Sequence, residues 1–287
     1  MKILQVTQFF SPLHGGSAEV PYHLSKELAK RRHEMEYDPI REERKWWEKG
    51  RRVRGKSKRL PARHHFAHSC IRSNLCDTLV GLGCDNTSSI LELGCGSGED
   101  AIYVQEASKN IVGVDISHTA LKRFRANGFQ GILADVKKLP FHSDSFDYVL
   151  CSGLLHHLVG QGDLVGYLTE FVRVVKKRGY AVTLEPNIFH PSGILMNIFN
   201  TIKPGITGLV PHERALSPLY LTKVFRNVGL KGVKCISASY VWNRFPLPIS
   251  EFISKHEGKI RCKKPFNLFG WFVIVYGQKA NAEEIIE

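Results

Sequence analysis

Short apolar runs alternate with amphipathic stretches from about residue 64 to the end of the chain. Such alternation is typical of βαβ units, in which helices cover a mostly parallel sheet. The apolar runs predict seven strands, near residues 89–93, 111–115, 131–134, 146–151, 180–184, 233–241 and 270–276. The amphipathic stretches predict helices near residues 65–81, 99–108, 118–127, 163–176 and 217–228. The sequence therefore predicts an α/β fold, and its 43% of hydrophobic residues suffices for a sizeable core.

Two long connections interrupt this alternation, at residues 186–216 and 242–265. Connections in α/β units usually span about 2–6 residues, and longer insertions commonly carry function. Both are rich in large apolar residues, namely Phe189, Ile194, Leu195, Ile198, Phe199, Trp242, Phe245, Leu247, Ile249 and Phe252. These residues fit a lid packed on the domain. If they are exposed, they instead suit a lipid-linked acceptor at a membrane face.

Cysteine usage and hydropathy bear on the compartment. The seven cysteines are scattered without a CxxC pair, which argues against a disulfide framework and a zinc module. Gln5 and Gln8 interrupt the apolar run at residues 1–10, so a secretory signal is not expected. No stretch reaches the roughly 18 apolar residues of a membrane-spanning helix. We therefore expect a cytoplasmic protein, with peripheral membrane contact as an open alternative.

The formal net charge is +13, which favours anionic partners without identifying one. Much of it comes from residues 41–63, which hold eleven basic and three acidic side chains. Blocks of like charge usually lie in water, and a solvated linker is one interpretation. A surface for nucleic acid or anionic lipid is the other, with Trp46 and Trp47 as stacking or interfacial groups.

Residues 90–100 read ILELGCGSGED, a buried strand followed by three alternate glycines and the start of a helix. Glycine is needed in such a turn because a Cβ would keep the backbone away from a ligand. The start of the helix offers N–H groups to an anion. The spacing G-x-G-x-G differs from the G-x-G-x-x-G of dinucleotide sites, so a nicotinamide or flavin dinucleotide is the weaker interpretation.

Two further predicted strands lead into a carboxylate. Asp115 lies 17 residues after Gly98, and Asp135 lies another 20 residues along the chain. Either acid alone could be a helix cap or a surface residue. Because ligands bind at the carboxyl ends of strands in open α/β sheets, the three strand ends together predict one nucleoside site. Asp115 would accept hydrogen bonds from the ribose, and Asp135 from the adenine amino group.

Together with downstream motifs, these residues resemble the class I S-adenosylmethionine-dependent methyltransferases over roughly residues 65–280. The motifs are the loop from Glu92 to Gly98, Asp115, Asp135, Leu139-Pro140-Phe141, Ser145 to Val149, Leu154 to Leu158 and Val174 to Gly179. The closer resemblance is to the subgroup that includes ubiquinone- and menaquinone-biosynthesis enzymes. It implies a Rossmann-like, mostly parallel seven-stranded sheet of order 3-2-1-4-5-7-6 with helices on both faces, plus an N-terminal appendage.

The resemblance also implies S-adenosyl-L-methionine as the cofactor and assigns residues to it. Glu92 and the Gly94–Gly98 loop would hold its methionine end, Asp115 its ribose and Asp135 its adenine. The predicted cofactor-binding residues are Glu92, Gly94, Cys95, Gly96, Gly98, Asp115, Ile116, Asp135, Val136 and Cys151. We interpret Cys151 as a small residue of the core or pocket wall, since the Pro-Cys motif of cytosine-C5 enzymes is absent there.

Methyl transfer from a sulfonium is an in-line displacement, so the protein mainly has to hold the acceptor against the methyl carbon. The predicted catalytic residues are His156, His157 and Glu185. One of the histidines would take a proton from the acceptor, and the sequence leaves open which one. Glu185 would orient the acceptor or cap local structure. The weaker candidates are His190, His212 and Glu213. No metal is expected, because the sequence shows no tight cluster of ligands.

The N-terminus has a different character, since residues 1–33 resemble the opening strand, Gly-Gly loop and first helix of GT-B glycosyltransferases. That stretch is too short for glycosyl transfer, and we interpret it as a fusion remnant or a docking segment. The predicted division is a partial βα segment (1–36), a basic linker or lid (37–64), the methyltransferase domain (65–280) and a tail (281–287).

These features predict a methyltransferase that acts on an oxygen or carbon, in preference to a nitrogen, of a small molecule, a glycan or a lipid-linked precursor. An RNA acceptor is the second hypothesis. The charge of residues 41–63 favours it, and the lack of an N/D-P-P-Y/F clamp at 151–153 opposes it. The third hypothesis is a non-catalytic protein that keeps the cofactor pocket as a binding module.

Overall fold

The computed structural model of the chain describes residues 61–159, 164–202 and 213–281. Its strands are β1 (Ile90–Leu93), β2 (Ile111–Asp115), β3 (Gln130–Leu133), β4 (Phe146–Ser152), β5 (Val175–Pro186), β6 (Leu230–Ser239) and β7 (Phe272–Lys279). They form one sheet with the order β3-β2-β1-β4-β5-β7-β6. The predicted strand number and order are therefore confirmed. The N-terminal segment (1–36), residues 37–60 of the predicted linker and residues 282–287 of the tail lie outside the described residues.

The helices in the described ranges are α1 (Ala62–Gly81), α2 (Ala101–Val104), α3 (His118–Ala126), α4 (Leu155–Leu158), α5 (Leu164–Val174), α6 (Pro191–Ile202), α7 (Pro218–Asn227) and α8 (Leu247–Glu257). A short 3₁₀ turn covers Phe266–Leu268. Serine hydroxyls cap two of the helices. Ser117 accepts the amide of Ala120 at the start of α3, and Ser217 accepts the amide of Tyr220 at the start of α7.

The helix predictions are wrong in several places. The predicted helix 99–108 shrinks to α2, because the chain turns toward β2 and the Ser108 hydroxyl donates to the Ser88 carbonyl. The predicted helix 163–176 ends at Val174, because Val175 already pairs with Phe146 of β4. The two long connections contain α6 and α8, and α4 follows β4 directly. The large apolar residues of α6 recur at helical spacing, but they lie on an exposed face, which the sequence pattern alone does not reveal.

The pairing of the strands defines one functional edge of the sheet. β1 pairs in parallel with β2 and with β4, so Leu93 and Cys151 lie side by side near the ends of their strands. β7 runs antiparallel to its neighbours, and Phe272 at its start pairs with Pro186 of β5 and with Ser239 of β6. The ends of β1–β6 and the start of β7 therefore share one side of the sheet, which we call the carboxyl edge.

Helices cover both faces of the sheet, as predicted. Leu79 of α1 and Phe124 of α3 belong to the hydrophobic cluster on one face. Phe171 of α5 and Phe225 of α7 belong to the cluster on the other face. All four side chains are at most 1% exposed. The sheet is thus a rigid support for the groups at its carboxyl edge.

Candidate functional site

The glycine loop follows β1 at the carboxyl edge. Gly94, Gly96 and Gly98 have φ angles of 67°, 53° and 82°, a conformation that glycine adopts without strain. A Cβ at Gly94 would come within 3.1 Å of Leu154, and one at Gly98 within 2.9 Å of Phe124. A Cβ at Gly96 would meet nothing closer than 4.0 Å. The loop is therefore packed at both ends and open at its centre, where a ligand can approach the backbone.

Glu92 lies in β1 just before this loop and is only 3% exposed. Its Oε2 has no hydrogen-bond partner among the residues that the structure describes. Burial raises the pKa of the Glu92 carboxyl well above its usual value, and the charges of Asp100 and Asp115 add to this effect. A buried carboxylate oxygen without a donor is costly. Glu92 therefore fits a ligand that brings a cationic or N–H donor group.

The carboxylate of Asp115 contacts the glycine loop directly. Its Oδ2 accepts the amide of Gly96 at 2.9 Å, and its Oδ1 accepts the amide of Ser117 at 2.7 Å. Asp115 and the following Ile116 are both partly buried. These hydrogen bonds place the carboxylate beside the open centre of the loop, within reach of a ligand held there.

Asp135 lies just beyond β3, one strand farther from the loop. The amide of Ala134 donates to the Asp115 carbonyl at 3.2 Å, which joins the ends of β2 and β3. The Asp135 carboxylate accepts the amide of Lys137 at 2.9 Å, which is a local Asx turn. Asp135 itself is partly buried, and the neighbouring Val136 is buried. Glu92, the loop, Asp115 and Asp135 thus lie along one edge, although Asp135 is bonded here only to its own turn among the hydrogen bonds described.

Both predicted pocket cysteines have buried side chains. The Sγ of Cys95 packs so closely on β2 that a Cβ at Gly113 would come within 2.6 Å of it. Burial raises the pKa of the Cys95 thiol and, together with the charge of Glu185, that of Cys151. Thiols of this kind stay protonated at neutral pH and are poor nucleophiles. The two side chains therefore contribute to packing rather than to covalent chemistry.

Glu185, near the end of β5, joins that strand to α4. It is fully buried, and its Oε1 accepts the amides of Leu154 at 3.2 Å and Leu155 at 2.8 Å. Its Oε2 accepts the amide of His156 at 3.3 Å and lies 2.7 Å from Nδ1 of the same residue. The carboxylate therefore caps α4 and orients the imidazole. With a proton on Nδ1, the lone pair of the neutral ring lies on Nε2.

His157 faces a different environment. It is 6% exposed, and its Nδ1 lies 3.2 Å from Oε1 of Glu213. Burial, and then the neighbouring His156, lowers the pKa of His157 well below its usual value, so the ring is neutral at pH 7. Ring nitrogens of both histidines and a carboxylate oxygen of Glu213 lie within 4.8 Å of one another. This cluster is tighter than the sequence indicated, and its ligand types are those of a divalent-cation site.

A cavity of 390 Å³ opens at the carboxyl edge. Its lining includes His68, Arg72, Asp100, Gly153, His156, Gly193, Met196 and Trp271. Of the three predicted catalytic residues, His156 lines this cavity, and Glu185 supports it from behind through the hydrogen bond to Nδ1. The structure thereby distinguishes between the two histidines that the sequence left equivalent.

Sequence reasoning missed a pair of charged residues in the cavity wall. Nε of Arg72 lies 2.6 Å from Oδ1 of Asp100, and Nη2 lies 2.8 Å from Oε2 of Glu99. Asp100 closely follows the glycine motif and could have been chosen from the sequence. Arg72 carried no such signal, because it lies on α1 and reaches the loop only through tertiary packing.

The weaker candidates have structural contacts. His190 accepts the amide of Ser192 at the start of α6 and lies 2.7 Å from its hydroxyl, and burial lowers the pKa of His190 to about 4. Glu213 is buried beside His157. His212 lies outside the described residues.

Comparison with known proteins finds similarity in the part of the chain that contains the glycine loop, Asp115, Asp135 and the two histidines. Residues 91–183 match a family model described as a methyltransferase domain. An uncharacterized protein of Methanocaldococcus jannaschii is 34% identical over 119 residues, which is 42% of this chain and 50% of that protein. A tRNA (carboxymethyluridine(34)-5-O)-methyltransferase of Arabidopsis thaliana is 33% identical over 96 residues, which is 33% of this chain and 23% of that enzyme. The chain thus spans half or less of the length of these relatives.

Solved structures share the fold. A SAM-dependent methyltransferase of Thermotoga maritima superimposes with a TM-score of 0.60 at 19% identity, covering 82% of this chain and 99% of that one. A chain from the complex between the Haloferax volcanii Trm112 methyltransferase activator and a methyltransferase gives 0.54 at 16% identity, covering 83% and 97%. Similarity at these identities concerns the fold alone. Within the described ranges, no helix is long and apolar enough to cross a bilayer.

Proposed function

We propose, from the premise that residues 91–183 form a class I S-adenosylmethionine-dependent methyltransferase domain, that the chain methylates an oxygen or carbon atom of a small molecule, a glycan or a lipid-linked precursor. The observation that carries this proposal is the position of His156, which lines the cavity while Glu185 holds its ring. When bound, the cofactor supplies an electrophilic methyl group on a positively charged sulfur.

Three features support binding of this cofactor at the carboxyl edge. The unpartnered Oε2 of Glu92 matches the ammonium group of the methionine end. The open centre of the loop at Gly96 admits a ligand to the backbone. Asp115 lies beside that opening and suits ribose hydroxyls. Asp135, one strand away, would then face the adenine.

His156 would act on the acceptor. In the proposed reaction, the acceptor lone pair forms a bond to the methyl carbon as the carbon–sulfur bond breaks, and that electron pair stays on sulfur. When the acceptor is a hydroxyl, its proton passes to Nε2 of His156. Glu185 would stabilise the resulting imidazolium and keep the ring in the required tautomer. His157, buried against Glu213, would support the position of its neighbour.

The pairing of Arg72 with Asp100 would keep the cavity wall in place. Because Arg72 balances the charge of Asp100, the acidic residues around Glu92 are partly neutralised before any ligand binds. The guanidinium also joins α1 to the end of the glycine loop. Its role is positioning, since both of its described ion pairs are with protein carboxylates.

Calorimetric titration of the full chain with S-adenosylmethionine, or with its demethylated product S-adenosylhomocysteine, tests the cofactor site. We expect Asp115→Ala to weaken binding by about 1–3 kcal/mol, through loss of charge-assisted hydrogen bonds. Asp77→Ala is the matched control, because Asp77 is an exposed aspartate on α1. Equal binding by wild type and Asp115→Ala would refute the assigned site. Incubation with radiolabelled methyl donor and fractionated extracts of lipid, glycan and RNA then identifies the acceptor class.

An RNA acceptor is the second candidate, because tRNA methyltransferases occur among the relatives. Besides the Arabidopsis enzyme, a human protein described as a probable tRNA methyltransferase 9B is 28% identical over 93 residues. The match covers 20% of that protein, so it supports this candidate only through the shared domain. Binding to tRNA that falls steeply with salt, and label recovered in the RNA fraction, would favour RNA over the leading proposal.

A further inference from the structure

The helix α6 has the opposite burial pattern from an ordinary surface helix. Five of its large apolar side chains are exposed: Ile194, Leu195, Ile198 and Phe199 by 45–46% and Ile202 by 76%. We call these five residues the apolar face of α6. Surface helices normally turn such residues toward the core. An apolar face of this kind, directed away from the rest of the described residues, indicates an interaction surface.

The inward side of α6 is polar. Asn200 is fully buried and donates to the carbonyl of Glu213 at 2.9 Å. Asn197 donates to the carbonyl of Ala215 and accepts its amide. These hydrogen bonds hold the helix in its orientation, so the exposure of the apolar face is specified by the sequence. The segment Pro191–Ile202 also contains no charged residue, which is unusual for a helix in contact with water.

The apolar face lies beside the cavity of the proposed active site. Ser192, Gly193 and Met196 of the same helix line that cavity together with His156. α6 begins five residues after β5 ends, at the carboxyl edge. A surface that covered the apolar face would therefore lie next to the cavity that receives the acceptor.

Three aromatic residues, Phe189, Phe266 and Phe269, extend this surface toward a basic segment. Phe189, just before α6, contacts Phe269 with ring centroids 6.2 Å apart. Phe266 and Phe269 are each 49% exposed, and they lie just before β7 at the same edge. The segment preceding Phe266 carries four cations, namely Lys259, Arg261, Lys263 and Lys264, and the three lysines are exposed. Exposed aromatic side chains beside lysines are typical of proteins that bind anionic lipid surfaces.

We propose that the apolar face of α6, with Phe266, Phe269 and the adjoining lysines, docks on an anionic membrane surface, so that the cavity beside His156 receives a lipid-linked acceptor. This inference rests on the proposed methyl transfer for its substrate class. The docking itself rests only on the exposed apolar side chains and the cations beside them. Charge complementarity selects the occupant: the exposed Lys259 and Lys263 precede the exposed Phe266 in the chain, and cations near an apolar surface match acidic headgroups above acyl chains.

Co-sedimentation of the full chain with lipid vesicles tests the docking. We expect binding to phosphatidylcholine vesicles that contain about 30% phosphatidylglycerol, weaker binding to pure phosphatidylcholine, and weaker binding as salt rises. Ile198→Gln combined with Phe199→Gln should lower the bound-to-free ratio on anionic vesicles by about tenfold or more. Glutamine keeps helix propensity, and both positions are exposed, so the variant should fold.

Ile102→Gln is the matched control, because Ile102 on α2 is a large apolar residue that is 42% exposed and belongs to neither α6 nor the segment around Phe266. It should bind vesicles like wild type. Lys263→Gln with Lys264→Gln should reduce binding to anionic vesicles and leave binding to neutral ones unchanged. Equal binding of wild type and the α6 double variant would overturn the docking proposal, as would failure of wild type to sediment with any vesicle.

Sedimentation velocity tests another occupant. If wild type is a dimer and the α6 double variant is a monomer, a second copy of the chain covers the apolar face and the proposal is wrong. Methyl label recovered only in a water-soluble extract would overturn the lipid-linked acceptor. Cofactor affinity separates this inference from the proposed function. A chain that binds S-adenosylmethionine but no vesicles refutes the docking alone, and one that binds vesicles but not the cofactor refutes the methyl transfer.

Discussion

Oε2 of Glu185 lies 2.7 Å from Nδ1 of His156, and the same carboxylate also accepts the first amides of α4. One buried side chain therefore sets both the position of this short helix and the orientation of the imidazole at the cavity. The arrangement couples local structure to the proposed chemistry, since a change at Glu185 alters both.

Removing the proposed proton acceptor tests the chemistry. We expect His156→Gln to lower kcat by about 10²–10⁴-fold for a hydroxyl acceptor, because proton removal is lost. Cofactor affinity should change by less than about twofold, since the loop and Asp115 remain intact. Initial rates and calorimetry measure the two effects separately. A variant with wild-type kcat would show that His156 does not take the proton.

Changing the group behind the imidazole tests the coupling. Glu185→Gln retains the size of the side chain but removes its charge and places an NH₂ group against backbone amides. We expect the free energy of unfolding to fall by about 1–3 kcal/mol, because buried donors lose their acceptor. Turnover should fall as well, and the pH profile of kcat should shift because the imidazolium loses its counterion. Denaturant titration and a pH–rate profile are the measurements, with Glu106→Gln as the exposed control. Unchanged stability and an unchanged pH profile together would contradict the coupling.

Glu92 predicts a dependence of stability on pH. The pKa of its carboxyl is raised by burial, so the ligand-free folded chain binds this proton more tightly than the unfolded chain does. The contribution of this group to stability is fully present below the usual carboxyl pKa and is lost as pH rises through the raised pKa. Glu92→Gln removes the titration. We therefore expect the Tm of Glu92→Gln to increase relative to that of wild type as pH rises. The variant should also bind the cofactor more weakly than wild type does, because it lacks the carboxylate.

Thermal melts of ligand-free wild type and Glu92→Gln across a pH series check this expectation. The cofactor should also raise the Tm of wild type more than that of the variant, because its ammonium group would meet the buried carboxylate. A Tm difference that does not vary with pH would show that Glu92 is not a buried, unpaired acid.

The cluster of His156, His157 and Glu213 can be tested for metal dependence. A hydrogen bond fixes Nδ1 of His156 against Glu185, and the ring of His156 packs on that of His157, whose Nδ1 lies 3.2 Å from Glu213. These contacts hold the side chains in place without a cation. We expect turnover to survive dialysis against a chelator. Loss of activity that is restored by a divalent cation would contradict this expectation and assign the cluster to a metal.

The strand pattern and the turn chemistry made most of the fold predictable. β1 is a fully buried strand in which Glu92 is the one charged residue, and the three alternate glycines after it require a tight turn, so the sequence located the loop and its register with Asp115. The orientation of α6 could not be predicted in the same way, because its apolar residues face outward and its asparagines face inward, the reverse of the usual arrangement.

The site was less predictable than the fold. The motif after β4 contains two adjacent histidines, and their surroundings differ because α4 turns one toward the cavity and the other toward Glu213. Arg72 enters the cavity wall from α1, and this position depends on helix packing that no local pattern encodes. The spacing of the motifs in the sequence therefore predicted which strand ends carry the candidate residues. The contacts between those residues depend on tertiary packing and could not be predicted.

A crystal structure of the chain with S-adenosylhomocysteine would test the central claim most directly. We predict that the ligand's amino group lies within hydrogen-bond distance of Oε2 of Glu92, its ribose hydroxyls contact Asp115, and its sulfur faces the cavity lined by His156. Clear density for the ligand at another place, with Glu92 and Asp115 making no contact to it, would contradict the account.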